Sequence, residues 1–362
     1  MLEPASLGVV AATESLAGLQ AQEPASPYLA LWARLAGFAP HELDRALADR
    51  TIVKATLMRV TLHAVSAADY VSLLPALRPM HHALRRRGTG SIDDRIVRRL
   101  GRSALAFAAE PRANPVLRDH VEAEARRLGV DLEEAWWWVR LRHDFIHVPT
   151  TRPWSFARRP TLAAAAAWLG EPAFAAEPIA IEHLVRRYLG AFGPATMADA
   201  AAWSGMTIAR LRPGFAAVEM AGELWRGRDE RGRELLDLPA APRPGGGIEP
   251  PPRFLPMWDS LLLAYADRTR VIDDAVRSIV TGRNGDTFPT FLIGGMVAGL
   301  WWAVAEPGGR CRIELEPFGR IAPRARRTLV AEAERLAAFL EPLEPDVYRR
   351  YRTSRARRLP GG

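Results

Sequence analysis

The chain has 362 residues, a hydrophobic fraction of 48% and a net charge of +8, which is enough for two or three domains with filled cores and excludes a disordered polypeptide. Its one cysteine, Cys311, excludes an internal disulfide and a cysteine-based zinc site, and no apolar run is long enough to span a bilayer. The basic balance suits a polyanion, nucleic acid first, although Lys54 is the only lysine and an Ala/Arg-rich chain is also what a GC-rich genome encodes. Met1 to Val10 lack the basic and apolar regions of a signal peptide, so a cytoplasmic, nucleoid-associated protein is expected.

In chain order, Tyr28, Leu31, Trp32 and Leu35 recur at helical spacing between Pro27 and Phe38, and Gly37 ends the block. Pro40, His41 and Glu42 open a second helix through Ala48, with Leu43 and Leu47 on one face. Thr51–Thr56 and Arg59–Val65 are rich in Val, Thr and Leu and read as strands. Helix, turn, helix, hairpin is the winged-helix order, whose second helix lies in the major groove.

That order returns. Ser91–Phe107 and Pro115–Leu128 are helical, Gly129 stops the latter, and Asp131 caps a helix through Arg142 before a short β-prone stretch, Phe145–Pro149. In the next unit Ile179–Leu189 is helical and Gly193-Pro194 breaks it. Thr196–Ser204 is a helix stopped by Gly205, and Thr207 opens a short helix that Pro213 ends. Glu223–Arg228 and Glu234–Leu238 flank the turn Asp229-Glu230-Arg231-Gly232, a hairpin with Arg231 at its tip. Pro239–Pro252 is a Pro/Gly linker. Beyond it, strands Phe291–Ile293 and Val297–Ala303 surround Gly294-Gly295, Cys311–Leu315 is a third strand, and Pro323–Leu340 is a long amphipathic helix. Tyr348–Gly362 carries six arginines and no acid, and is expected to fray.

The expected fold is therefore α+β, mainly helical. Tandem winged-helix domains (helix-turn-helix plus β-hairpin) precede a C-terminal α/β region containing β-hairpins. The boundaries are 1–80 for the first winged helix, 81–176 for a winged-helix-like second, 177–240 for the third, 241–252 for the linker, 253–345 for the β-hairpin/helix region and 346–362 for the basic tail.

The motifs of several enzyme classes are missing. There is no Gly-x-Ser-x-Gly elbow, phosphate-binding loop or dinucleotide fingerprint, and Gly245-Gly246-Gly247 reads as linker. The pairs His81-His82 and His143/His147 do not form His-Glu-x-x-His, and Val148-Pro149 takes His147 out of the helix, so surface or capping histidines are expected and no metal. Gln20-Ala21-Gln22, bracketed by Gly18 and Pro24, stands apart. Two glutamines at this spacing share a face only if the backbone is extended, since in a helix they diverge by about 200°. On spacing alone, two glutamines near a chain start read as polar surface.

Taken with Leu29–Arg34 and Arg59-Val60-Thr61-Leu62-His63, this segment resembles the winged-helix DNA glycosylases of the AlkZ/YcaQ type. Those proteins carry a Gln-apolar-Gln motif and then a hairpin with Arg-Gly-Thr-Leu-His. Met257-Trp258-Asp259-Ser260-Leu261, Asp267-Arg268-Thr269-Arg270-Val271, the Gly294-Gly295 hairpin and the basic end are similar to the same family in the same order. Val60 stands where the family has Gly, and Ser260 where it has an acid. The family also has an additional helix before this point.

The resemblance implies a monofunctional glycosylase that excises cationic alkylated purines, N7-alkylguanine and bulky or crosslinked forms, from double-stranded DNA, as a monomer, with no cofactor and no membrane. Gln20 and Gln22 are its expected catalytic residues, and His63, Arg59, Arg231 and Arg268 its DNA contacts. Hydrolysis of an ordinary glycoside needs paired carboxylates. A cationic N7-alkylguanine leaves without protonation, so two amides that orient a water and direct carbonyl dipoles at positive charge suffice. Lyase chemistry needs an amine, and Lys54 lies on a wing strand. Glu23 reads either as a water-placing group or as helix charge compensation, His63 as a lesion contact or a buried structural histidine, and Arg59 as a phosphate contact or a plain wing charge. The competing readings are a non-enzymatic winged-helix transcriptional regulator and a binder without base release.

Overall fold

A computed structural model describes residues 3–84, 92–245, 247–282 and 285–356. Its contacts group into two compact units: one holds 8–24 and 40–241, the other 1–7, 25–39 and 242–362. The division falls between Ala241 and Pro242, inside the Pro/Gly stretch, but the short segments near the start of the chain join the second unit.

The first unit opens with α1 (Val9–Ser15) and the strand β1 (Leu19–Gln20), after which α2 (Ala25–Trp32) leaves for the other unit. Helix α3 (Pro40–Ala48) has the predicted bounds: Pro40 serves the first turn and Leu43 and Leu47 are buried. Strands β2 (Ile52–Thr56) and β3 (Leu62–Ser66) form a hairpin around a 3-10 turn, Met58–Val60. Ser66 caps α4 (Ala67–Ala83) by accepting from Asp69 N at 3.1 Å.

Helices α5 (Asp94–Phe107), α6 (Asn114–Arg127) and α7 (Leu132–Arg142) follow, with the short strand β4 (Arg112–Ala113) between α5 and α6 and Asp131 capping α7 as its position predicts. Ser91 lies outside the described residues. Leu100, Leu117, Val121, Trp136 and Val139 close a core among these helices. Strands β5 (Phe145–Val148) and β6 (Thr161–Ala164) complete one antiparallel sheet in the order β1-β3-β2-β5-β6-β4. This sheet runs through residues assigned from sequence to the first and second winged helices, joined where Lys54 and Ala55 of β2 pair with His147 and Ile146 of β5.

After α8 (Ala165–Leu169), the helices α9 (Glu177–Phe192), α10 (Met197–Ser204) and α11 (Ile208–Met220) pack on Tyr188, Trp203 and Phe215. Thr196 and Asp199 form a reciprocal cap on α10 and Gly205 ends it in the left-handed conformation. Pro213 does not end the next helix as expected; it lies inside α11. One lost backbone bond is outweighed there by the burial of Leu211, Phe215 and Val218, and Gly214 lets the helix close on Ile181. Strands β7 (Trp225–Arg228) and β8 (Glu234–Asp237) form the last hairpin of the unit, with Asp229 accepting from the backbone of Arg231 at 3.0 Å.

In the second unit β9 (Arg253–Leu255) precedes α12 (Asp274–Val280), and β10 (Thr290–Ile293), β11 (Met296–Ala305) and β12 (Cys311–Pro317) finish a four-stranded antiparallel sheet, β12-β11-β10-β9. Gly294 and Gly295 take the left-handed conformations that a two-residue hairpin turn needs. Helix α13 (Pro323–Leu340) has the predicted bounds and buries Leu329, Leu336 and Leu340. The tail departs from expectation, since α14 (Arg349–Ala356) is helical rather than frayed. It is anchored by Arg352 on Glu314 at 2.7 Å and Arg355 on Glu316 at 2.6 Å, both of β12, and by the buried Tyr348, whose hydroxyl meets Ser26 of α2 at 2.9 Å. Residues 357–362 lie outside the description. Among the described residues no helix is long and apolar enough to cross a membrane.

Candidate active site

Backbone extension at the glutamine motif is enforced by pairing. Gly18 takes φ +95°, and a side chain there would meet Val65 Cγ1 at 2.8 Å. The chain then pairs with β3, Leu19 opposite Ala64 and Gln20 opposite His63, and Ala21 N donates to Leu62 O at 2.8 Å. Gln20 is buried and Gln22 exposed.

The two amides do different things. Gln20 Oε1 accepts the backbone N–H of Gln22 at 2.7 Å, which folds the chain out of the strand and fixes where Gln22 emerges. Gln22 Oε1 receives a long contact from Leu62 N at 3.4 Å, too weak to hold the amide tightly. Gln20 is thus built into the scaffold, and Gln22 presents its amide to solvent. Glu23 follows, half-buried.

His63 faces the same side of the sheet as Gln20. It is buried, with Nδ1 donating to Thr61 O at 3.0 Å, which leaves Nε2 as the acceptor. Burial and then the Arg59 charge push its pKa down to about 3, so the ring is neutral at physiological pH. Of its two readings the buried, hydrogen-bonded one matches this placement.

The hairpin tip is heavily bonded. Leu57 N donates to Thr61 O at 3.0 Å, Thr61 Oγ1 to Met58 O at 3.0 Å, and His81 of α4 meets Leu57 O through Nε2 at 2.9 Å. Arg59 (φ +52°) and Val60 (φ +59°) are both left-handed. Arg59 turns its guanidinium onto the Trp203 carbonyl. Val60, the departure noted from sequence, sits in a conformation suited to glycine and strained for a β-branched residue. Val60→Gly is expected to raise the stability of this unit by about 1 kcal/mol, read as a shift of the urea midpoint at constant m. An unchanged or lowered midpoint would show that the Val60 side chain repays its strain.

The other predicted contacts belong to other elements. Arg231 is exposed at the tip of the β7–β8 hairpin. Arg268 belongs to the second unit, half-buried on a 3-10 turn, with Nη1 on Thr281 Oγ1 at 3.2 Å. Burial and neighbouring Arg277 hold it below the usual guanidinium range.

Of the histidines expected at the surface or at caps, His82 is exposed and His143 is the C-cap of α7, half-buried with Nδ1 on Val139 O at 3.1 Å, whereas His81 and His147 are buried. His81 departs from the expectation because its ring nitrogen finds the Leu57 carbonyl at 2.9 Å, and a hydrogen-bonded histidine buries cheaply. Lys54 is buried too, its ammonium 4.3 Å from the centre of the Phe156 ring, and burial brings its pKa down to about 7. In the ladder it stands opposite Ala64, one position on from the Gln20–His63 pair, so Lys54 and Gln20 leave opposite faces of the sheet.

A lysine held near 7 in the fold and near 10.5 when unfolded disfavours folding fully below pH 7, and that penalty fades as pH rises toward 10.5. Lys54→Met is therefore expected to be more stable than the parent, with the gap narrowing by about 2 kcal/mol between pH 7 and pH 9. Urea unfolding at the two pH values checks this, and a gap independent of pH would mean that Lys54 is solvated.

Motif and hairpin thus meet in one sheet, with Gln20 opposite His63 and Gln22 exposed beyond the strand end. The model of the DNA glycosylase AlkZ-like family matches residues 13–339, and the chain belongs to that family of DNA N-glycosylases. Its fold is similar to that of the Streptomyces sahachiroi DNA glycosylase AlkZ, with a TM-score of 0.75 at 22% identity over 94% of this chain and 93% of that one. A comparison with curated proteins returns no match.

Proposed function

We propose that this enzyme is a monofunctional glycosylase that hydrolyses the N-glycosidic bond of cationic alkylated purines in duplex DNA, N7-alkylguanine above all. The observation that carries this reading is the division of labour in the motif, where Gln20 fixes the turn and Gln22 stands exposed beside a neutral His63. An amide cannot protonate a leaving group, but it can hold a water and aim a carbonyl dipole at a sugar that is turning into an oxocarbenium ion. Such a site accelerates departure of a base that is already positively charged and does little for a neutral one.

We assign Gln22 to the water and the sugar, Gln20 to positioning Gln22, and His63 to holding β3 with its acceptor nitrogen toward the motif. Arg231 and Arg268 are assigned to backbone phosphates, and Arg59 to the hairpin turn. The segments 1–80, 81–176 and 177–240 serve as winged-helix modules of a monomer that wraps DNA, with an open cleft that admits bulky or crosslinked purines, since a crosslinked base cannot be flipped freely. Lys54 is on the wrong face of the sheet to form a Schiff base at the motif, which supports hydrolysis alone.

The test is base release from a duplex bearing one N7-methylguanine, with alkali cleavage of the abasic product. The expected result is release far above the spontaneous rate, with no strand cleavage before alkali. Binding without release from methylated or bulkier adducts would overturn the proposal in favour of a DNA-binding regulator.

A further inference from the structure

We propose that the groove between the β2–β3 hairpin tip and α7 binds a backbone phosphate of the DNA strand through Arg140, with Trp137 against the adjoining nucleotide. The assignment rests on duplex DNA being the substrate.

The groove measures about 520 Å³ and is lined by Thr56, Val60, Trp136, Trp137 and Arg140, with Arg118 and Glu133 at its edge. Its two cations differ. Arg118 is held by Glu122 at 2.5 Å and by Glu133. Arg140 is exposed at the surface and, among the described residues, pairs with no carboxylate; its guanidinium lies 5.7 Å from the Trp136 ring. The walls around it desolvate the guanidinium and hold it below its usual range.

Thr56, Arg140 and Leu141 also wall a chamber of about 20 Å³ behind the groove, room for about one water, which His81, His143 and His147 line from the other side. The one carboxylate of that chamber, Asp144, is taken by Arg78 at 2.5 Å. Lys54 stands beside His147 across the β2–β5 register. The charge that no carboxylate offsets among the described residues is therefore that of Arg140, and an aromatic ring borders it. An anion that carries a flat ring with it, as a nucleotide does, complements both features.

Position favours the strand that enters the active site. Gln22 touches Leu62 of β3, and Leu62 is the register partner of Thr56 of β2 at the groove wall. Adjacent strands lie about 4.8 Å apart, so groove and motif are about 10 Å from each other. At about 3.4 Å per nucleotide, a strand presenting its lesion to Gln22 passes the groove within a few nucleotides.

The test uses the full chain and plain or N7-methylguanine duplexes over a salt series. Arg140→Ala is expected to weaken binding about tenfold and to lower the log–log salt slope by about 0.9, the signature of one lost phosphate contact. Arg140→Lys keeps the slope, and Trp137→Ala weakens binding without changing it. Replacing single phosphates near the lesion by neutral methylphosphonates locates the contact: one linkage costs the parent about tenfold and costs Arg140→Ala nothing. Unchanged affinity and slope in Arg140→Ala, with an unchanged melting temperature, would overturn the proposal. So would equal sensitivity of parent and variant at every linkage. Base release by the parent is scored separately, so failure of the glycosylase reading leaves the binding result standing, and the reverse.

Discussion

Gln22→Ala is expected to slow single-turnover base release from an N7-methylguanine duplex by about 100-fold, while duplex affinity stays within about twofold. Among the described residues the side chain's hydrogen-bond partner is Leu62 N at 3.4 Å, so truncation is expected to remove the proposed water-holding group and to leave the fold intact. Gln20→Ala is expected to lose as much rate for another reason: Gln22 N forfeits the acceptor that turns the chain out of β1. Gln20→Glu separates the two roles. Its carboxylate still accepts from Gln22 N, so most activity survives, whereas Gln22→Glu changes the group that faces the sugar and alters the pH profile. If Gln22→Ala releases base at the parental rate, the water-holding role of Gln22 is lost. If Gln20→Glu is as slow as Gln20→Ala, Gln20 acts directly on the substrate.

The largest stability effect is expected at Arg34–Asp259. Two parallel bonds of 2.7 and 2.8 Å join a guanidinium and a carboxylate that are almost without exposure, and Asp259 also caps the following 3-10 turn through Leu261 N at 3.0 Å. Asp259→Ala leaves a buried cation alone and should cost about 3–5 kcal/mol. Arg34→Met with Asp259→Leu removes both charges and should recover more than half of that loss. With two units the melt need not be a single transition, so the readout is the transition assigned to the second unit in calorimetry. A loss below about 1 kcal/mol in Asp259→Ala would mean that water reaches the pair.

Signals carried by neighbours in sequence were legible. Pro at the first turn with a periodic apolar face set α3 and α13, Asp131 marked the start of α7, and Gly294-Gly295 marked a hairpin. Gln20-Ala21-Gln22 was legible as an extended or turn segment, because Gly18 and Pro24 bracket it. What escaped depends on partners far along the chain. The end of α11 was misplaced because burial overrides one proline, and the tail was misjudged because its arginines find Glu314 and Glu316. The inequality of the two glutamines was invisible for a local reason: spacing shows which way a side chain points, not that Gln20 spends its carbonyl on its own backbone. Arg140 was one arginine among many until α7 and the hairpin enclosed it.

Every residue of α2 is buried, and its last turn leads to Arg34, whose partner Asp259 comes 225 residues later. At roughly 5–20 residues per second, a ribosome takes on the order of 10–50 seconds to cover that interval. Throughout it, an apolar stretch already synthesised lacks the partner segments that bury it. The nascent chain is thus expected to lean on holding chaperones until Asp259 has emerged.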